Sequence, residues 1–103
     1  MSWANGYIEK LKSSTEASKI SFRPRGNSMT PHIKSGQAVA VSSDIEILAV
    51  GDIVLCKVNG KHYLHLIGAI DKDKYRIENA RGFINGWISK SAIYGKVIRV
   101  GAI

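Results

Sequence analysis

The sequence predicts a mainly β domain opened by one short helix, and three observations predict it. From Ile20 onward the apolar residues fall into short runs separated by turn residues, the pattern of an antiparallel folded sheet or partly open barrel. Asn59-Gly60 stands between two of those runs, and Asn-Gly in that position is the strongest short-range hairpin signal. Helical spacing is confined to the first segment, where Trp3, Tyr7, Ile8 and Leu11 recur every three or four residues.

Each element follows from its residues. From Trp3 to Ala17 the apolar stripe faces away from Glu9, Lys10 and Lys12, so an amphipathic helix is expected; Gly6 weakens its first turn and the polar run Lys12-Ser13-Ser14-Thr15-Glu16 ends the stripe. Its expected role is packing or partner docking. Ile20-Ser21-Phe22-Arg23 and Ala38-Val39-Ala40-Val41 alternate as strands do. Gly51-Asp52 introduces the apolar run Ile53 to Val58, and its hairpin partner runs from Lys61 to Ile67. Further strands are expected at 69–71, 75–78, 86–88 and 96–100, with a helical turn within 89–94. Residues 1–19 read as helix and linker, and 20–103 as the β domain.

Composition bounds what the domain can be. A chain of 103 residues, 45% hydrophobic, makes one domain with one modest core. The excess of 15 Lys and Arg over 8 Asp and Glu gives a net charge of +7, which favours encounters with nucleic acid, acidic proteins or anionic lipid without choosing among them. The single Cys56 lies inside an apolar run, which excludes a disulfide scaffold and a thiolate cluster and reads as a small buried hydrophobe. Three histidines without matching acidic partners or close helical spacing do not make a zinc site, and no cofactor is expected. No apolar stretch reaches the roughly 18 residues of a membrane span, and residues 1–6 lack the pattern of a secretory signal. A soluble cytoplasmic protein is the expectation.

Chemistry concentrates in the loop from Arg25 to Gly36, where Gly26 and Ser28 allow a sharp turn that presents a hydroxyl beside free N–H groups. A nucleophilic serine needs a base. His65 is the candidate, 37 residues downstream on the second hairpin strand, where alternation puts it and Tyr63 on one face and Leu64 and Leu66 on the other. An imidazole with a pKa near 6.5 is largely neutral at pH 7 and can take the serine proton. His62 and His32 read as structural or surface residues.

These residues resemble the LexA-like and signal-peptidase-like serine peptidases. Gly26-Asn27-Ser28-Met29-Thr30-Pro31 is similar to the nucleophile box of that family, Gly51-Asp52-Ile53-Val54 to its strand entry, and His65 falls where LexA relatives carry a general-base lysine. A histidine there is similar to the endoplasmic-reticulum signal peptidases. The resemblance spans about residues 20–100. It implies a folded β domain in which Ser28 is nucleophile, His65 general base, and the N–H groups of Ser28 and Asn27 the oxyanion hole. It further implies that Met29 anchors the serine loop and that Gly26 lets an extended substrate strand pass close. The aspartate that orients the histidine in signal peptidases has no counterpart, which leaves Asn79, Asn85 and Glu78 as candidates.

The expected function is hydrolysis of an extended peptide in trans through a Ser28–His65 dyad. The competing reading keeps the fold without catalysis: a module binding protein or nucleic acid through Arg23, Arg25, Lys34, Lys57 and Lys61, with Phe22, Tyr63 and Trp87 stacking on bases. A regulator of phage or mobile-element origin is a variant of that reading. The apolar segment 95–103 is expected to end the sheet as an open edge able to pair with a second copy in a homodimer.

Overall fold

The computed structural model describes residues 3–12, 18–26, 29 and 32–101. Ser28 and Asn27 lie outside the described residues, as does the 13–17 end of the expected helix. Among the described residues helix α1 (Asn5–Lys12) precedes seven strands: β1 (Lys19–Phe22), β2 (Val39–Ser42), β3 (Ile53–Val58), β4 (Lys61–Asp71), β5 (Lys74–Glu78), β6 (Ile84–Ser89) and β7 (Ile93–Val100). A single 3₁₀ turn, Lys90–Ala92, sits between β6 and β7, where a helical turn is expected. All pairings are antiparallel, in the order β1-β2-β7-β3-β4-β5-β6.

The hairpin forms as its turn residues require. Asn59 and Gly60 take φ of 49° and 82°, the two left-handed positions of a type I′ turn, and Val58 pairs with Lys61 across it. At the other end of β3, Asp52 closes its own turn by accepting the Ala49 N–H on Oδ2 at 2.9 Å. Gly51 N–H then donates to Ile67 O and Asp52 O accepts from Ile67 N–H, both at 2.8 Å, so Gly51-Asp52 extends the β3–β4 ladder beyond the strand itself.

β3 lies between β7 and β4 and is buried on both faces, which explains why its apolar run does not alternate. Leu55 faces a core built with α1: Ala4, Ile8 and Leu11 of the helical segment pack with Phe22, Val39, Val41 and Leu64. Val54, Cys56 and Val58 face a second core with Ile67, Ile77, Ile88 and Ile93. Cys56 is fully buried there, and burial pushes its thiol up to about 12, so it is a packing residue and not a nucleophile.

Two sequence expectations change. Residues 69–71 are no separate strand: β4 runs unbroken for 11 residues, because a bulge that skips Gly68 lets it pass from β3 to β5 as partner. The terminal strand is not an open edge. β7 lies between β2 and β3, and β1 and β6 are the edges. It reaches that place through two bulges, at Tyr94 against β3 and Ile98 against β2.

Gly95 shows how closely α1 sits on β7. A Cβ there would stand 2.5 Å from Val41 Cγ1, 3.0 Å from the Ser42 carbonyl oxygen and 3.2 Å from Leu11 Cδ1, so β2 crowds it as well as the helix. The backbone oxygen cannot yield, so Gly95→Ala is expected to cost about 1–3 kcal/mol of stability, read as a lower urea midpoint.

Candidate active site

The alternation of β4 sets the site. Lys61, Tyr63 and His65 share one face, with the Tyr63 and His65 rings 4.8 Å apart, while Leu64 turns into the helix-side core. His65 pairs with Val54 across the ladder and is only 6% exposed. Its ring would be a poor resident of that position without a polar partner, and it has one. The His65 Nδ1–H donates to Asn85 Oδ1 at 2.7 Å, so in the neutral ring the lone pair lies on Nε2.

Asn85 reaches His65 because of a bulge. On β6, Gly86 pairs with Ile77 and Ile84 with Glu78, leaving Asn85 as the extra residue whose side chain is re-aimed. Gly86 follows with φ of 150°, and a Cβ there would stand 3.0 Å from Val58 Cγ1. The other two candidates for orienting His65 are engaged elsewhere. Asn79 Oδ1 accepts the N–H groups of Arg81 at 2.9 Å and Phe83 at 3.0 Å, holding the β5–β6 turn. The Glu78 carboxylate lies over Gly68, where a Cβ would overlap it, and pairs with Arg76 at 3.3 Å.

Burial holds the His65 pKa below the ordinary 6.5, opposed in part by the Asn85 hydrogen bond. His62 is also held low, by desolvation first and then by Lys57, its neighbour across the ladder. The ring of His65 is therefore neutral at pH 7.

A cavity of about 610 Å³ runs from His65 between the Lys61–His65 half of β4 and the segment from Phe22 to Gly26. That volume is in the range of small-molecule and cofactor sites. β4 outruns β5 here, since the β4–β5 pairing begins only at Leu66. The floor is apolar, with Met29 at 4% and Ile33 at 3% exposure, and the Met29 carbonyl accepts the Ile33 N–H at 2.9 Å. The residue after Ser28 is thus fixed in the core beside the cavity. Gly26 takes φ of 109° and donates its N–H to Ser35 Oγ at 3.1 Å, tying the two arms of the serine loop together.

Residues 4–81 match the family described as Peptidase S24-like. The chain belongs to that family. No curated protein matches it. The S24-like match includes the Ser28 box, Gly51-Asp52, His65 and the helical segment, and it ends before Asn85. Asn85 was one of three candidates in the sequence, and only the register between β5 and β6 separates it from the others. Sequence reasoning missed Trp3 and Tyr7 as cavity walls. Their rings cluster with Phe22, Tyr7 stacking on it at 4.3 Å, and the four-residue spacing of Trp3 and Tyr7 was the available signal.

The base-stacking surface does not form as expected. Phe22 is 8% exposed beneath Tyr7, and Trp87 lies on β6 at the opposite edge of the sheet, with the Arg76 guanidinium 6.0 Å from its ring centroid. Among the described residues no group of His, Cys, Asp and Glu is placed to hold a metal ion, and no helix is long and apolar enough to cross a membrane.

Proposed function

We propose that the protein is a serine peptidase that cuts an extended peptide supplied in trans, with Ser28 as nucleophile and His65 as general base. The observation that carries this reading is the buried His65, held by Asn85 and lining a cavity of about 610 Å³ in a chain of the S24-like family. Ser28 Oγ attacks the scissile carbonyl while its proton passes to His65 Nε2. The resulting oxyanion is met by the N–H groups of Ser28 and Asn27. Collapse breaks the C–N bond, and the leaving amine takes the proton from Nε2. Water then attacks the acyl-enzyme, gives a proton to Nε2, and the acid is released as Ser28 recovers its hydrogen. Asn85 fixes the tautomer that puts the accepting lone pair on Nε2, though an amide stabilises the imidazolium less than a carboxylate does.

A fluorophosphonate probe tests the reading. Wild type labelled at Ser28, with Ser28→Ala unlabelled and His65→Ala labelled far more slowly, is the expected result. Labelling elsewhere, or none in folded wild type, overturns it in favour of a non-catalytic binding module.

The pH dependence carries a sign. Because the His65 pKa is lowered, the base stays neutral into mildly acidic solution, and the acid limb of kcat/KM falls below pH 6.5. Asn85→Asp places a carboxylate on Nδ1–H and is expected to move that limb to higher pH. Asn85→Ala is expected to lower kcat/KM by about 10- to 100-fold, the equivalent of losing a hydrogen bond to a group that becomes charged. Stability follows the same linkage. The unfolded chain binds the histidine proton near pH 6.5 and the folded chain only below it, so the contribution is complete above 6.5 and is lost as pH falls toward the folded value. Urea midpoints across pH 5–8 check the direction.

A further inference from the structure

The charges around the cavity are one-sided. Three cations line it, Arg23, Arg25 and Lys61, and among the described residues no Asp or Glu does. All three are exposed, and the ion pair seen among the described residues, between Arg76 and Glu78, lies elsewhere. The two guanidinia are placed by the fold: Arg23 Nη1 donates to the Gly36 carbonyl at 3.1 Å, and Arg25 Nη1 lies where a Gly36 Cβ would approach it to 3.3 Å. They stand on the arm opposite β4. Lys61 lies on the β4 arm, on the same strand face as His65 and four residues away, about 13 Å along the strand. The three cations thus line the same cavity as His65 and the apolar Met29 and Ile33.

We propose that this cavity selects an extended peptide with acidic side chains about four residues to one side of the cut bond, held between Lys61 and the Arg23–Arg25 pair. The inference rests on the peptidase reading for the position of the cut, and it specifies the substrate class of that site. A neutral peptide fills the apolar floor but leaves the cations with water alone. A basic one is repelled. An acidic segment gains charge-assisted hydrogen bonds from two guanidinia whose planar forks match carboxylates, and it gains attraction during encounter. This assigns part of the +7 net charge a task that peptide hydrolysis alone does not require.

The test measures binding apart from cleavage. Fluorescent 12-residue peptides with a central Ala-Gly bond carry three Glu, three Gln or three Lys at residues three to five from that bond, on one side or the other. They are titrated by anisotropy into the full chain carrying Ser28→Ala, at about 50 mM and 500 mM salt. The proposal expects the Glu peptide of one orientation to bind at least ten-fold tighter than its Gln counterpart, an advantage that shrinks to under three-fold at high salt, with the Lys peptide weakest. Lys61→Gln and Arg25→Gln are each expected to cut the advantage at least three-fold, with circular dichroism reporting that the variants are folded. Equal affinity for the Glu and Gln peptides overturns it, and that comparison needs no variant. Displacement of the Glu peptide by single-stranded oligothymidylate at a lower concentration than by unlabelled Glu peptide overturns it in favour of a nucleic-acid groove. Probe labelling of wild type at Ser28 without any acid preference removes this inference alone. Acid preference without labelling removes the peptidase reading and leaves the acidic-peptide groove.

Discussion

His65→Ala is expected to lower kcat/KM on a fluorogenic peptide by about 10²- to 10⁴-fold, the usual contribution of a positioned general base. The size follows from the site. With the imidazole gone, Ser28 has to lose its proton to water, and the residues that could replace the base are poorly placed to do so. Tyr63 lies on the same strand face as a phenol, and Lys61 is four residues away along the strand. Asn85 is itself left with a carbonyl oxygen whose donor has been deleted. That orphaned acceptor costs about 1–3 kcal/mol of stability, so circular dichroism and a urea titration accompany the kinetics. Added imidazole is expected to restore part of the rate in the space left by the ring. Activity within three-fold of wild type in the folded variant would transfer the role of base to another residue.

Leu55→Ala is expected to cost about 2–5 kcal/mol, enough to unfold much of the population of a domain of ordinary stability. Leu55 is fully buried at the centre of the sheet, opposite Leu64 on β4 and Gly95 on β7, and faces the core that α1 covers. Its neighbours are hydrogen-bonded ladders on both sides, which cannot move inward to fill the space. The urea midpoint is expected to fall with little change in slope. Ile47→Ala, at a residue 78% exposed, is the contrast and is expected to stay within about 0.5 kcal/mol of wild type. Equal losses in the two would place the core elsewhere.

Much of the fold was legible because its signals are local. Asn59-Gly60 specifies its turn through the φ angles those two residues tolerate, and the helical and strand periods need only a few residues each. The apolar run of β3 was legible, but that it is buried on both faces comes from its place between β7 and β4. The boundaries of β4 were not legible, because the bulge at Gly68 that carries the strand from one partner to another is a property of the pairing and leaves no mark beyond a glycine. The placement of β7 was misread for a related reason. An apolar terminal strand looks the same in sequence whether it ends the sheet or enters between two others.

The candidate site divides along the same line. By itself the sequence determined the residue types of the proposed chemistry: a serine in a glycine-bearing loop, a histidine sharing a strand face with Tyr63, the Gly51-Asp52 entry, and a cysteine set in an apolar run. Tertiary structure alone decided which residue holds that histidine, since Asn79, Asn85 and Glu78 differ only in where a bulge in β6 aims them. It also decided that Trp3 and Tyr7 wall the cavity, that Phe22 is covered, and that Arg23, Arg25 and Lys61 gather around it with no carboxylate among the described lining residues. The physical reason is range. Backbone conformation and alternation are fixed within a few residues, whereas the partner of a side chain 20 residues distant depends on a register that only the assembled sheet possesses.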